Sequence, residues 1–359
     1  MKILVVNPYG IGDALCTIPL LKALREAFPK GTLGLVCNRR VESVARMFPG
    51  VSRVLVFEKD DLRQAWAISK LRWLRAMRDL RRTLQADRWD AVIDLSLNWQ
   101  IGATLAFAGI RTRYGFDYRG RGKFLTRTVP LSGFSERHVS RYYLDVLSLL
   151  NIPTPRQVEI RLQLPPDVLR EAEQWLIARG ADPTRRWIAL VPGGGASWGP
   201  QAAAKQWPAR HFAALANQFA LDPHSQILLL GDATDAAVCQ AVATACARPA
   251  TLLPPMPSTL DLAAALAHCD AVIGNDSGAL HLAVAVGTPS VTIFGPANPM
   301  VYGPLSLTPD GRHRIAVKPL ACRPCYAQFK LPPCPWDHRC LETLEPNDVY
   351  ALARPLLAA

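Results

Sequence analysis

The 359-residue sequence has no run of about eighteen apolar residues, because its richest apolar stretches are cut by Gly, Pro or Arg, and no transmembrane helix is expected. No Asp-x-Asp occurs anywhere, which argues against a divalent metal holding a diphosphate and leaves that task to Lys side chains and helix dipoles. There is no G-x-G-x-x-G, and the second apolar run ends in Cys37-Asn38-Arg39 with no acidic residue, so a nicotinamide site is not indicated. The Gly-Lys-Ser/Thr ending of a P-loop is missing too, which speaks against ATP hydrolysis. Without a zinc finger, an RNP-like aromatic motif or a helix-turn-helix, nucleic acid is not an expected partner. Charged residues are sparse at 19% and half the chain is hydrophobic, which excludes disorder and implies a sizeable core.

What is present is alternation. Short β-branched runs at 3–6, 33–37, 54–57 and 91–95 read as strands, with a helix over 14–28 that has Pro19 near its start. A Pro-marked connector at 162–166 leads into a helix over 166–179. The pattern then restarts, with strands at 187–191, 226–230, 271–274 and 290–294 and helices at 208–219, 235–247, 259–268 and 278–286. This is the signature of open parallel sheets, and the length suits two consecutive α/β domains facing one another across a cleft. The opening Met-Lys-Ile-Leu-Val-Val is too short for a signal peptide core and reads as the first buried strand, so a cytoplasmic protein is expected.

The most informative segment is Ala271-Val-Ile-Gly-Asn-Asp-Ser-Gly-Ala-Leu-His281, a strand that runs through a polar turn into a helix. A helix N-terminus offers unpaired N–H groups and a positive dipole end, which suits phosphate. Gly278 permits close backbone approach, and Ser277 is placed to cap the helix or to donate to an oxygen. Asp276 would repel an anion, and its presence hints at a nucleotide-sugar with hydroxyls to bind. An ordinary capped turn accounts for the same residues.

Two further turns follow strand ends. Asn7-Pro-Tyr-Gly10-Ile-Gly12-Asp13 opens the first helix; Asp13 either favours the helix dipole or acts as general base toward a hydroxyl. Val191-Pro-Gly-Gly-Gly-Ala-Ser197 has the composition of a loop whose amides cradle a diphosphate, and Lys205 lies just before the next helix, placed either to neutralise a phosphate or as a plain surface lysine.

The formal charge is +12, and residues 60–127 hold 14 Lys/Arg against 7 Asp/Glu. Within that stretch Arg63, Lys70, Arg72, Arg75, Arg78, Arg81 and Arg82 accompany Trp66, Trp73 and Leu74. Such a segment either rests on an anionic membrane surface or forms a crossover helix with a solvated Arg face. Arg111, Arg113, Arg119, Arg121 and Lys123 form a Gly-rich basic loop suited to carboxylates or phosphates. Of nine cysteines, Cys16, Cys37, Cys239, Cys246 and Cys269 read as reduced core residues. The other four cluster as Cys322-x2-Cys325-x8-Cys334-x5-Cys340 with His338 inside the cluster. That spacing admits a structural zinc or iron, free thiols or a redox-dependent disulfide.

In this order and spacing the motifs resemble the heptosyltransferases that build the inner core of lipopolysaccharide, glycosyltransferase family nine. The resemblance spans nearly the whole chain. It rests on Gly12-Asp13, Pro192-Gly-Gly-Gly-Ala-Ser197, Lys205-x-Trp-Pro208, Leu253-Pro-x-Met256, Asn275-Asp-Ser-Gly-x-x-His281 and the Cys-x-x-Cys-rich tail. It implies a GT-B fold with two Rossmann-like domains: an acceptor domain over 1–163, a nucleotide-sugar domain over 164–345, and a helix over 346–359 packing back toward the first. It implies that Asp13 deprotonates the acceptor hydroxyl and that Lys205 contacts the donor phosphates. Gly193, Gly194 and Ser197 then belong to the donor loop, and Asp276, Ser277, Gly278 and His281 hold the phosphate–sugar part. Met256 would line the base pocket, and Asp235 stands where the family usually has a Glu facing the ribose. Gly12, Arg63, Arg113, Arg119, Arg121 and Lys123 are the candidate acceptor contacts. One departure is the longer stretch between Ser197 and Lys205, with Pro200 and three alanines. The implied activity is inverting, metal-independent transfer of heptose from ADP-heptose to an anionic glycolipid acceptor, with no catalytic cofactor and with peripheral contact to the inner membrane. The alternatives are a nucleotide-sugar epimerase, a related transferase with a different sugar or acceptor, and a binding protein whose chemistry has lapsed.

Overall fold

The structure, a computed structural model, describes residues 1–58, 64, 66–305 and 311–357; the side chains of 196–198 and 200 lie outside that description. The chain divides into two compact units, Met1–Glu159 and Ile160–Ala359, a boundary four residues earlier than the expected one.

In the first unit β1 (Lys2–Val6), β2 (Thr32–Cys37), β3 (Val51–Val56), β4 (Ala91–Asp94), β5 (Thr112–Tyr118) and β6 (Arg127–Leu131) form one sheet in the order β3-β2-β1-β4-β5-β6. Every pairing is parallel. In the second unit β7 (Arg186–Val191), β8 (Ser225–Leu229), β9 (Thr251–Leu252), β10 (Ala271–Asn275), β11 (Ser290–Phe294) and β12 (His313–Val317) form a sheet in the order β12-β11-β10-β7-β8-β9, again all parallel. Counted from its own first strand, each unit has the doubly wound order 3-2-1-4-5-6. Each therefore has a switch point between its first and fourth strands, where ligands bind outside the carboxyl ends. These switch points are β1/β4 and β7/β10.

The central strands are buried on both faces, as parallel sheets covered by helices require. That burial makes them continuous apolar runs. Strands β5, β6, β9 and β12 were not expected. Strand β5 reads Thr-Arg-Tyr-Gly-Phe-Asp-Tyr, polar enough to pass for a loop, and β9 is only two residues long. The basic stretch expected as one loop from Arg111 is thus a strand through Tyr118 followed by a turn.

The helix expected over 14–28 is two, Ile11–Leu15 and Ile18–Ala27. Pro19 sits in the first turn of the second helix, where its missing N–H has no partner to lose. The helix Pro346–Ala353 packs on helix Ala209–Phe219 and on β11 and β12. Its Val349 and Ala353 join Trp207, Phe212 and Leu341 in one apolar cluster. Its apolar face is thus buried inside the second unit. Among the described residues no helix is long and apolar enough to cross a membrane.

Candidate active site

At the second switch point, β7 runs into Pro192-Gly193-Gly194-Gly195 and β10 into Asn275-Asp276-Ser277. The fully buried Asn275 ties these turns together. Its amide donates to the Pro192 and Gly193 carbonyls at 2.7 and 3.2 Å, and its Oδ1 accepts from Trp207 N at 2.9 Å. Sequence reasoning quoted Asn275 within a motif but gave it no role; its signal was a carboxamide closing an apolar strand.

The glycines owe their identity first to packing. A Cβ on Gly193 would lie 2.1 Å from the Asp235 carboxylate, and one on Gly194 would lie 2.5 Å from the Ala202 carbonyl. Gly195, at φ +70°, carries the turn up against Ser277.

Beside this turn lies a buried charge cluster. Lys205 Nζ is 2.8 Å from Asp276 Oδ2, with the two side chains only 6% and 7% exposed. His281 Nε2 stands 3.8 Å from the other Asp276 oxygen. Burial holds His281 below the usual imidazole value; Asp276 opposes that shift and Lys205 adds to it, so the ring is neutral at pH 7. The carboxylate that seemed wrong for an anion site is therefore neutralised by Lys205. Asp276 holds the Lys205 ammonium directly, while His281 stands just beyond hydrogen-bond reach of the carboxylate.

Ser277 is the N-cap of the nine-residue helix Gly278–Val286, yet its side chain makes no capping bond. Its buried hydroxyl has no hydrogen-bond partner among the described residues. A buried hydroxyl left unpaired costs about 1–3 kcal/mol, a cost removed when a ligand oxygen accepts from it. The helix N-terminus, Lys205 and this hydroxyl together form a corner whose donors suit an anion, with Asp276 and His281 beside it.

The remaining donor candidates divide. Asp235 follows β8, the position at which dinucleotide folds place a ribose-binding acid. Its carboxylate is buried against Gly193 and accepts from Asp232 N at 3.3 Å. Burial pushes its pKa up, with Asp232 adding to the rise. Met256 is half-buried in the loop between β9 and helix Thr259–Ala267. The Ser197 side chain lies outside the described residues. Residues Ala196–Lys205, expected as a long loop, form 3₁₀ turns kinked at Gly199.

At the first switch point Gly10 begins the helix Ile11–Leu15, with Gly12 and Asp13 half-buried in its first turn. Buried Asn7 donates to the Asp13 carbonyl and to Thr17 Oγ1, both at 2.9 Å. Tyr9 Oη donates to the Ser96 carbonyl and joins the β1 and β4 turns. The Asp13 charge is felt nearby, because it adds to the burial that raises the Cys16 thiol and the Tyr143 phenol.

Asp94, which sequence reasoning passed over, ends β4 at this same point. It is 4% exposed, it accepts from Ser96 N at 2.8 Å, and burial pushes it up to about 6. Its signal was an acid terminating the apolar run Ala91-Val-Ile.

Arg119, Arg121 and Lys123 are exposed on the turn after β5, which Asp117 pins by accepting from Gly122 N at 3.0 Å. Both arginines lie over Tyr118, and Lys123 lies 4.5 Å over Trp99. Arg113 differs from this group. Its guanidinium donates to the Ile110, Arg111 and Phe124 carbonyls, so it holds backbone together rather than facing an acceptor. Arg63 lies outside the described residues.

The cysteine cluster gains no support as a metal site, although Cys322 and Cys334 lie near enough to add to the burial that raises the Cys325 and Cys340 thiols. Among the described residues no three His, Cys, Asp or Glu side chains are arranged to hold an ion. Cys340 is drawn into the apolar cluster of the second unit, and Cys334 Sγ accepts from His338 N at 3.4 Å. All nine cysteines are free thiols.

The sequence matches the family model "Glycosyltransferase family 9 (heptosyltransferase)" over residues 77–327, more than half the chain. It is 27% identical to lipopolysaccharide heptosyltransferase 2 of Escherichia coli (strain K12), over 85% of this chain and 86% of that protein. Among solved structures, the fold superposes on E. coli ADP-heptose lps heptosyltransferase II with a TM-score of 0.78 at 23% identity, covering 100% of this chain and 99% of that one. It superposes on a family 9 glycosyltransferase from Veillonella parvula with a TM-score of 0.82 at 22% identity, covering 99% and 97%. Two Rossmann-like units are the make-up of the GT-B fold. With that fold, the two switch-point sites and the family match, the chain belongs to glycosyltransferase family 9, the heptosyltransferases, and is a glycosyltransferase.

Proposed function

We propose that this enzyme transfers heptose from ADP-heptose to an acceptor in the inner core of lipopolysaccharide, with inversion and without a metal ion, at the cytoplasmic face of the inner membrane. The observation that carries the proposal is the anion corner at β7/β10: buried Lys205 on Asp276, neutral His281, and an unpartnered Ser277 hydroxyl at a helix N-terminus. The names of the relatives support the choice of sugar and acceptor, since lipopolysaccharide heptosyltransferases recur among them.

In this proposal the acceptor oxygen attacks the anomeric carbon on the face opposite ADP. As that C–O bond forms, the bond from carbon to the β-phosphate oxygen breaks, the hydroxyl proton passes to Asp13, and ADP departs. Lys205, the Ser277 hydroxyl and the first N–H groups of helix Gly278–Val286 stabilise the charge that grows on the leaving diphosphate. Asp235 is assigned to the ribose and Met256 to the base. The exposed Arg119, Arg121 and Lys123 are assigned to the acceptor's carboxylates or phosphates. Catalysis needs no further cofactor.

The test is product analysis by mass spectrometry. With ADP-heptose and a heptose-free lipopolysaccharide core, the acceptor gains one heptose and ADP is released. Interconversion of the sugar nucleotide with no acceptor present would favour an epimerase and refute the proposal.

A further inference from the structure

The helix Lys70–Ala86 is bound to its unit by one face only. Leu84 is its one buried residue; Leu80 and Leu84 pack into the first unit's apolar cluster, and the helix packs on helix Trp99–Phe107. Trp73, Ala76 and Met77 share that inward face and are half-buried. On the opposite side, positions 71, 74, 75, 78 and 82 follow the i, i+3, i+4, i+7, i+11 spacing of a single stripe.

That outward stripe is Leu71, Leu74, Arg75, Arg78 and Arg82. Leu71 is 70% exposed and Leu74 is 55% exposed. Just before the helix, Trp66 and Ile68 are also exposed, and Trp66 meets Trp73 edge-on at 5.4 Å. The helix carries six cations and one carboxylate, Asp79, which pairs with its neighbour Arg78. Among the described residues Arg75 and Arg82 have no carboxylate partner. A merely solvated crossover face would not need two exposed leucines in its first turn, since Lys or Glu would serve the helix as well there.

We propose that this stripe docks the enzyme on an anionic lipid bilayer, with Leu71, Leu74 and the helical residues Trp66 and Ile68 before them entering the headgroup–acyl boundary and Arg75, Arg78 and Arg82 lying on lipid phosphates. Charge complementarity selects this occupant: an apolar first turn continued by a row of cations on the same face fits a negatively charged interface. The docking concentrates the enzyme where a lipid-borne acceptor resides, and so it rests on the acceptor reading above.

Vesicle flotation without donor or acceptor tests the docking separately from the chemistry. Vesicles of phosphatidylcholine with about 30 mol% phosphatidylglycerol should bind the wild type, and pure phosphatidylcholine should bind it far less, because each surface cation strengthens binding about fivefold. Leu71→Gln with Leu74→Gln keeps helix-forming residues at exposed positions and should reduce binding at least tenfold, while leaving turnover of a water-soluble deacylated acceptor unchanged. Arg75→Gln with Arg78→Gln should cost roughly thirtyfold and flatten the salt dependence. The proposal is overturned if the leucine pair variant floats like the wild type or if neutral and anionic vesicles bind equally. It is also overturned if the wild type is a dimer that the leucine substitutions dissociate, for the stripe would then be a protein interface. A failure of heptose transfer with intact vesicle binding would count against the acceptor reading alone.

Discussion

Replacing Lys205 by Met removes one charge from a pair 2.8 Å apart while keeping most of the aliphatic volume. Both partners are under a tenth exposed, so solvent cannot take over from the lost ammonium. Breaking a buried pair from one side typically costs about 3–5 kcal/mol, because a carboxylate is left uncompensated. For a unit the size of Ile160–Ala359 that corresponds to a fall in Tm of roughly 6–20 °C. The double variant Lys205→Met, Asp276→Asn removes both charges and should recover most of that loss, since neutral replacement of a buried pair costs little. Donor binding should behave differently. A charge-assisted bond to phosphate contributes about 1.5–3 kcal/mol, so ADP affinity should drop roughly ten- to hundredfold in both variants. Differential scanning calorimetry and titration calorimetry with ADP read the two effects separately. A single variant with unchanged Tm would refute the buried pair as a stabilising unit. A double variant that binds ADP as tightly as the wild type would refute Lys205 as the phosphate contact.

Asp13→Asn should lower kcat by about 10²–10⁴ with ADP affinity near that of the wild type; retained turnover in a steady-state assay would remove Asp13 from its role as base. The Asp94 carboxyl, pushed up to about 6 from 3.8, makes folding take up a proton between those values. Stability of the first unit therefore falls as pH rises through that window, by at most about 3 kcal/mol, and Asp94→Asn should flatten the slope of Tm against pH; parallel slopes would contradict it. Gly193→Ala places a Cβ 2.1 Å from the Asp235 carboxylate, so it should destabilise the second unit by about 1–3 kcal/mol. It should also weaken binding of ADP more than of adenine-free diphosphate, which titration of both ligands would decide.

The sequence was most legible where burial is most complete. Strand β11 and helix Gly278–Val286 fall on the expected residues, because a strand covered on both faces must be apolar throughout and Gly287, at φ +87°, ends the helix in the left-handed conformation. Three of the four edge strands, β6, β9 and β12, escaped for the converse reason: β12, for one, has solvent on part of its surface, so its residues follow no continuous apolar run. The loop after β7 was recognisable as glycine-rich. What composition alone could not show is that Gly193 and Gly194 make room for Asp235 and for the Ala202 carbonyl. Asp276 looked misplaced because its neutralising partner, Lys205, is 71 positions away in the chain. Arg113 looked like an acceptor contact because charge can be read from sequence and hydrogen-bond partners cannot. The cysteine spacing invited a metal, but among the described residues no three ligands are arranged to hold one, and Cys340 belongs to the apolar cluster of the second unit.

Trp207 has a further consequence for how the chain is made. Its backbone N–H is held by Asn275 beside the donor loop, its indole N–H by the Leu344 carbonyl, and its ring by a cluster that includes Val349, Ala353 and Leu356. During synthesis the sheet of the first unit has every strand in hand once Leu131 has left the ribosome, whereas the pocket around Trp207 stays open until Leu356 has emerged. The second unit thus spends most of its translation with this apolar pocket unfilled, the kind of exposed surface that makes larger chains prone to aggregate while they fold.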